Sequence, residues 1–140
     1  MIFELNLPHV FNRRSTRDEN AAALRILLES LIALNLAYLD THHAPPLYES
    51  GVRYGRTTIW ETIPALYDRG YGDCKSLTAA LCAERRKNGR FANPVFRYMQ
   101  NESGGINYHI LVQTERGFED PSRALGMGRD ENSYMDVSSY

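Results

Sequence analysis

Gly70-Tyr71-Gly72-Asp73-Cys74-Lys75-Ser76-Leu77 is the stretch on which the fold turns. Two glycines break the chain, an aspartate stands in N-cap position, and a helical pattern begins at once. Leu77, Ala80, Leu81 and Ala83 are its apolar contacts, so the spacing predicts a helix over about 74–88. Glu84-Arg85-Arg86-Lys87 puts basic charge in the last turns, and Gly89 suits the C′ position. The chain before this helix reads as helix and loop, and the chain after it reads as strand.

Downstream, 94–100 and 106–113 alternate as strands do, with Glu102-Ser103-Gly104-Gly105 as the turn between them. A short third strand is expected over 118–120, after Arg116-Gly117, and the tail from Gly126 reads as irregular. Upstream, Thr16-Arg17-Asp18-Glu19 has the form of a capping box. Leu24, Leu27, Leu28, Leu31, Leu34 and Tyr38 follow at helical spacing, which predicts a long helix over about 16–40. His42-His43-Ala44-Pro45-Pro46 cannot continue it. Residues 41–57 read as a loop whose Tyr48 and Tyr54 are candidates to line a cleft. Residues 58–69 read as a short helix with Pro64 near its first turn. Helices first and an antiparallel meander after them make an α+β pattern, N-terminal helices packed on a small antiparallel sheet.

The whole chain of 140 residues fits a single domain, 1–140, with 43% hydrophobic and 24% charged residues. Sixteen Lys+Arg against 17 Asp+Glu give a net charge of -1. No basic excess drives binding to nucleic acid or to an anionic membrane, so neither is an expected partner. Two cysteines suit a reducing compartment. Met1 to Pro8 lacks a basic n-region, and Arg25, Glu29 and Asn35 interrupt the longest apolar zone. A cytoplasmic protein without a membrane span is therefore expected.

Three residues could carry chemistry together. Cys74 opens a helix, where the positive helix end favours a nucleophilic thiolate and the backbone N–H could hold an oxyanion. Gly70 and Gly72 would let backbone and substrate approach closely. His109 lies in an apolar strand, on one face with Leu111 and Gln113, while Tyr108, Ile110 and Val112 take the other. Pairing Gln113 with Phe118 across a four-residue loop places Asp120 opposite Leu111 and diagonal to His109. A tighter loop places it directly opposite. Both registers keep Asp120 on the His109 face and put Glu119 on the other. Cysteine, histidine and aspartate in this layout are what thiol acyl transfer requires. Taken singly, each has an ordinary structural reading: a buried small hydrophobe, a satisfied strand histidine, a turn aspartate.

Gly70 to Leu77, then Tyr108-His109-Ile110-Leu111-Val112, then Glu119-Asp120-Pro121-Ser122 resemble the transglutaminase-like superfamily over roughly residues 58–126. That resemblance implies a papain-like cysteine fold with Cys74 as nucleophile, His109 as base and Asp120 as its partner. It implies a peptide or protein substrate and no cofactor. Tyr48 to Tyr54 and Asp120 to Gly126 are also similar to small transglutaminase-like proteins encoded by bacteriophages and prophages. This narrower likeness implies a phage or host protein partner, and the host cytoplasm or the virion as location. Lys75 departs from the pattern, since the family often has an acid there, and the His-to-Asp spacing is short.

Trp60, Tyr54 and Tyr71 are expected to bind substrate or donate a second oxyanion hydrogen bond. Cys82 lies two turns along the helix, about 12 Å from Cys74, too far for a disulfide, and is expected in the core. His42 and His43 read as a solvated pair, and no metal-ligand spacing is present. The expected function is a thiol acyl-transfer enzyme, a cysteine peptidase or amidase or a transglutaminase. The alternative is a non-catalytic binding or assembly module on the same fold.

Overall fold

A computed structural model describes residues 1–2 and 4–128, together with the backbone of 135–136. Helix α1 runs Arg17–Thr41 and is capped as its sequence predicts, with the Thr16 hydroxyl accepting the Glu19 N–H. The Glu19 carboxylate closes the box on the Thr16 hydroxyl at 3.0 Å. By length and composition α1 could cross a membrane. In this fold one side is sealed against the protein, and its two buried amides serve neighbouring loops. Asn20 accepts the N–H of Phe11 at 2.7 Å and Asn35 that of Ile63 at 2.8 Å.

A 3₁₀ turn at Leu47–Glu49 and a two-residue strand β1 at Arg53–Tyr54 come next. Helix α2 spans Ile63–Arg69 only. The expected start at residue 58 is corrected: Pro64 lacks an N–H and is tolerated only in a first turn, so the helix begins at Ile63. The N–H groups of 59, 61 and 63 go to side chains instead: Ile59 to the Thr57 hydroxyl, Glu61 to the Ser76 hydroxyl and Ile63 to Asn35 Oδ1. Strand β2, Tyr71–Gly72, pairs in parallel with β1, an addition that the sequence did not reveal.

Helix α3, Cys74–Lys87, starts at Asp73, whose carboxylate accepts the Lys75 N–H. Nine consecutive residues, Lys75 to Ala83, are buried, because α1 lies on one side of α3 and the sheet on the other. Strands β3 (Ala92–Gln100), β4 (Ile106–Thr114) and β5 (Gly117–Glu119) form the antiparallel meander, so the α+β reading holds. Strand β6, Met135–Asp136, adds to the free edge of β3. The tail is therefore not wholly irregular, as the sequence suggested; the rest of it lies outside the described residues.

The core gathers Leu28, Ile32, Leu66, Leu77, Leu81, Phe96, Ile110 and Val112. These put the Ile110 face of β4 against the helices. His109, by strand parity, belongs to the opposite face, with Arg97 as its cross-strand neighbour on β3.

Candidate active site

The hairpin register decides where Asp120 goes. Gln113 pairs with Phe118 and Val112 with Glu119, the longer of the two registers weighed from sequence. Pro121 then stops the strand and opens a four-residue helix, α4 (Pro121–Ala124), for which Asp120 is the N-cap. One carboxylate oxygen of Asp120 accepts the Arg123 N–H at 3.3 Å. The other lies 2.8 Å from His109 Nε2. Burial alone would raise the Asp120 pKa. The hydrogen bond and charge of His109, with the N–H and guanidinium of Arg123, outweigh it and hold the carboxyl below its usual range. An ionised carboxylate only accepts, so the ring proton sits on Nε2.

Glu119, on the other face as expected, anchors this end of β5. Arg85 Nη2 donates to it at 2.8 Å and the Tyr48 hydroxyl at 3.0 Å. Tyr48 therefore ties the 41–57 loop to β5.

Cys74 meets strand β4 at the sheet edge, at the residue after His109. Strand β5 pairs with β4 only from Val112 to Thr114, which leaves Ile110 without a strand partner on that side. One turn of α3 takes the strand's place. The Ile110 N–H donates to the Cys74 thiol, and the Ile110 carbonyl accepts the Thr78 hydroxyl at 3.1 Å. Cysteine and threonine four residues apart on a helix lie one above the other, which is why one face of α3 satisfies both groups. The sulfur thus sits on the amide one peptide beyond His109.

The thiol is not the thiolate that the helix end was expected to give. Burial is the largest influence and pushes its pKa up to about 12; the Asp73 carboxylate adds to the rise, as does Asp120. The Ile110 N–H and the Lys75 ammonium pull it down but do not win. Helix-end charge contributes only ~0.3–1 kcal/mol where exposed, against one pKa unit per ~1.4 kcal/mol.

Lys75 is itself buried. Its Nζ donates to Asp73 Oδ2 at 2.5 Å and to the Thr57 carbonyl at 2.7 Å, and lies 5.9 Å from the Trp60 ring centroid. Trp60 is therefore half-buried against the lysine. Tyr54 is half-buried in β1, where its N–H donates to the Leu125 carbonyl. Tyr71 is exposed, with the Arg69 guanidinium 5.7 Å from its ring centroid. The two glycines before the cysteine have structural work. Gly70 closes α2 in the left-handed conformation at φ 84°. A Cβ on Gly72 would lie 2.6 Å from Leu66 Cδ1, so α2 makes a close approach there.

Cys82 is fully buried in the core and both cysteines are free. His42 stacks on Tyr38 at 4.4 Å. Among the described residues no three His, Cys, Asp or Glu side chains come together as a metal site. Sequence reasoning missed Lys75 and Thr78 as parts of the site. A threonine four residues after the cysteine, inside an apolar helix, was the available signal for the second. No family model, curated protein or solved structure matches the chain.

Proposed function

We propose that this chain is a thiol acyl-transfer enzyme acting on a peptide or protein through Cys74, His109 and Asp120, on a papain-like arrangement of helix and sheet. The observation that carries the reading is the 2.8 Å contact of His109 Nε2 with Asp120, one peptide from the amide that holds the Cys74 sulfur. With Nε2 engaged by Asp120, proton exchange with the thiol falls to Nδ1. Because the thiol rests protonated, His109 takes its proton as sulfur attacks the carbonyl carbon, and Asp120 stabilises the imidazolium. The Cys74 N–H, at the first helical position, has no acceptor within its own helix and suits the oxyanion. The imidazolium gives its proton to the leaving amine, which leaves a thioester. Water, deprotonated by His109, attacks that thioester and releases the acid and the thiol. Hydrolysis is preferred to amine transfer because no acceptor-amine pocket is identified among the described residues.

The test is a screen of peptide thioesters and p-nitroanilides with mass-spectrometric trapping of the acyl-enzyme. A covalent adduct on Cys74, lost in His109→Gln, supports the proposal. One observation favours the alternative of a non-catalytic binding or assembly module: a thiol raised to about 12 is not an activated nucleophile at rest. An accessible Cys74 that forms no adduct with any acyl donor would favour that module.

A further inference from the structure

Lys75 stands beside the nucleophile as a buried cation held by three groups: a carboxylate, a carbonyl and an indole face. A lysine in such a place loses hydration and side-chain freedom, a cost that its partners must offset. Two of its partners need no cation. Thr57 offers a neutral carbonyl, and Trp60 would pack as well on an aliphatic chain. Asp73 is different. It is the N-cap of α3, so its carboxylate is fixed at the helix start, directly before Cys74 in the chain. A fixed negative charge there opposes formation of a second one on sulfur.

We propose that Lys75 is a positioning residue for the thiol: it neutralises the capping carboxylate of Asp73 so that the helix can be capped by an acid beside a sulfur that must become negative. The proposal rests on the acyl-transfer reading of Cys74. Among the described residues, the charged groups that act on the sulfur are Asp73 and Lys75 from the start of its own helix and Asp120 from the end of β5, with His109 bonded to Asp120 from the adjacent strand. Only the Asp73–Lys75 pair can be altered without touching the His109–Asp120 contact. The second bond of Lys75, to Thr57, fastens the segment that runs up to Trp60 over the same helix end, so the ammonium is held where it meets the carboxylate.

Alkylation of Cys74 by iodoacetamide in the folded full chain tests this without any substrate. The rate is read by mass-spectrometric peptide mapping from pH 6 to pH 10, with Cys82 as the buried reference. Lys75→Met should slow Cys74 labelling about tenfold at a given pH, the size of one pKa unit. Asp73→Asn keeps a capping side chain and should speed it by a similar factor. The double variant should return to within about threefold of the parent. A purely structural lysine would give no such reversal of sign. The proposal is overturned if both single variants move the rate the same way, or if the double variant keeps the full loss of Lys75→Met. If Lys75→Met does not fold, Asp73→Asn decides, and an unchanged or lower rate refutes the idea. A reversal of sign in a protein without turnover would retire the enzyme and keep the role of Lys75. Turnover without the reversal would do the opposite.

Discussion

The first turn of α3 and its middle each carry a cysteine, and burial treats the two thiols alike. It pushes Cys74 and Cys82 both up to about 12. What differs is their company. Cys82 lies in the core at 0% exposure, with Arg86 the chief charge that lowers it. Cys74 is partly exposed and rests on the Ile110 amide beside the His109–Asp120 pair. Ionisation at rest therefore does not separate a nucleophile from a packing cysteine in this helix. Under the proposed reading, exposure and the nearby His109–Asp120 pair would have to do so.

The sharpest way to break the comparison is to remove each sulfur. Cys74→Ala should reduce acyl transfer to background while leaving Tm within a few degrees, since the Ile110 N–H loses only a weak sulfur acceptor and the change in volume is small. Cys82→Ala should do the reverse, keeping turnover and costing about 1–2 kcal/mol of stability through a small core cavity. Turnover assays beside thermal melts check both, and retained activity in Cys74→Ala would sink the mechanism.

The proton acceptor comes next. His109→Gln should lower kcat/KM by about 10²–10⁴-fold, the usual worth of a general base. Asp120→Asn should lower it less, because it orients the imidazole and does not take the proton. Asp120→Asn should also change stability in acid. The folded-state pKa of Asp120 lies below its ordinary 3.8, so its contribution is present above that value and is lost as pH falls through the depressed one. Melts below pH 4 should be flatter with pH in the variant.

Thr78→Val tests the edge itself. It leaves the Ile110 carbonyl unpaired in a buried place, which costs about 1–3 kcal/mol. Turnover should fall along with Tm, because the strand that carries His109 loses its hold on α3.

The remaining effects concern the thiols as a pair. Each folded pKa of about 12 lies about three units above the ordinary 9.0, so unfolding should raise the thiolate fraction below pH 9 by about a thousandfold. Denaturant should therefore speed alkylation of both cysteines and erase the preference for Cys74 expected in the folded chain. Since the folded values are raised, the stability linked to each thiol is complete below pH 9 and is lost as pH rises toward 12. Alkaline melts of Cys82→Ala should fall less steeply than those of the parent.

Much of this arrangement was legible because it is local. Thr16 and Asp73 announce their helices through caps, and strand parity alone separates Asp120 from Glu119. The reading failed where distant groups compete with a local rule. The end of α3 should favour a thiolate, yet the surrounding protein and the Asp73 carboxylate prevail, and nothing near Cys74 in sequence reports that burial. The partner of Ile110 was hidden for the same reason. That β5 is too short to reach it, and that Cys74 and Thr78 stand in, is a fact about three segments at once. Asp-Pro at 120–121 was visible but read only as the end of a strand, although it equally writes the start of α4.

Gly72 has a consequence for how such a signature is weighed. Its missing side chain is required by Leu66, and Gly70 by the left-handed close of α2. Two of the five letters from Gly70 to Cys74 are thus spent on seating a short helix against the start of a longer one. Any chain that made the same corner would select them, whatever chemistry it performed. A variant screen should separate the letters accordingly: Gly72→Ala should appear among the destabilised, by about 1–3 kcal/mol as buried Leu66 gives way, and Cys74→Ala among the folded and inert.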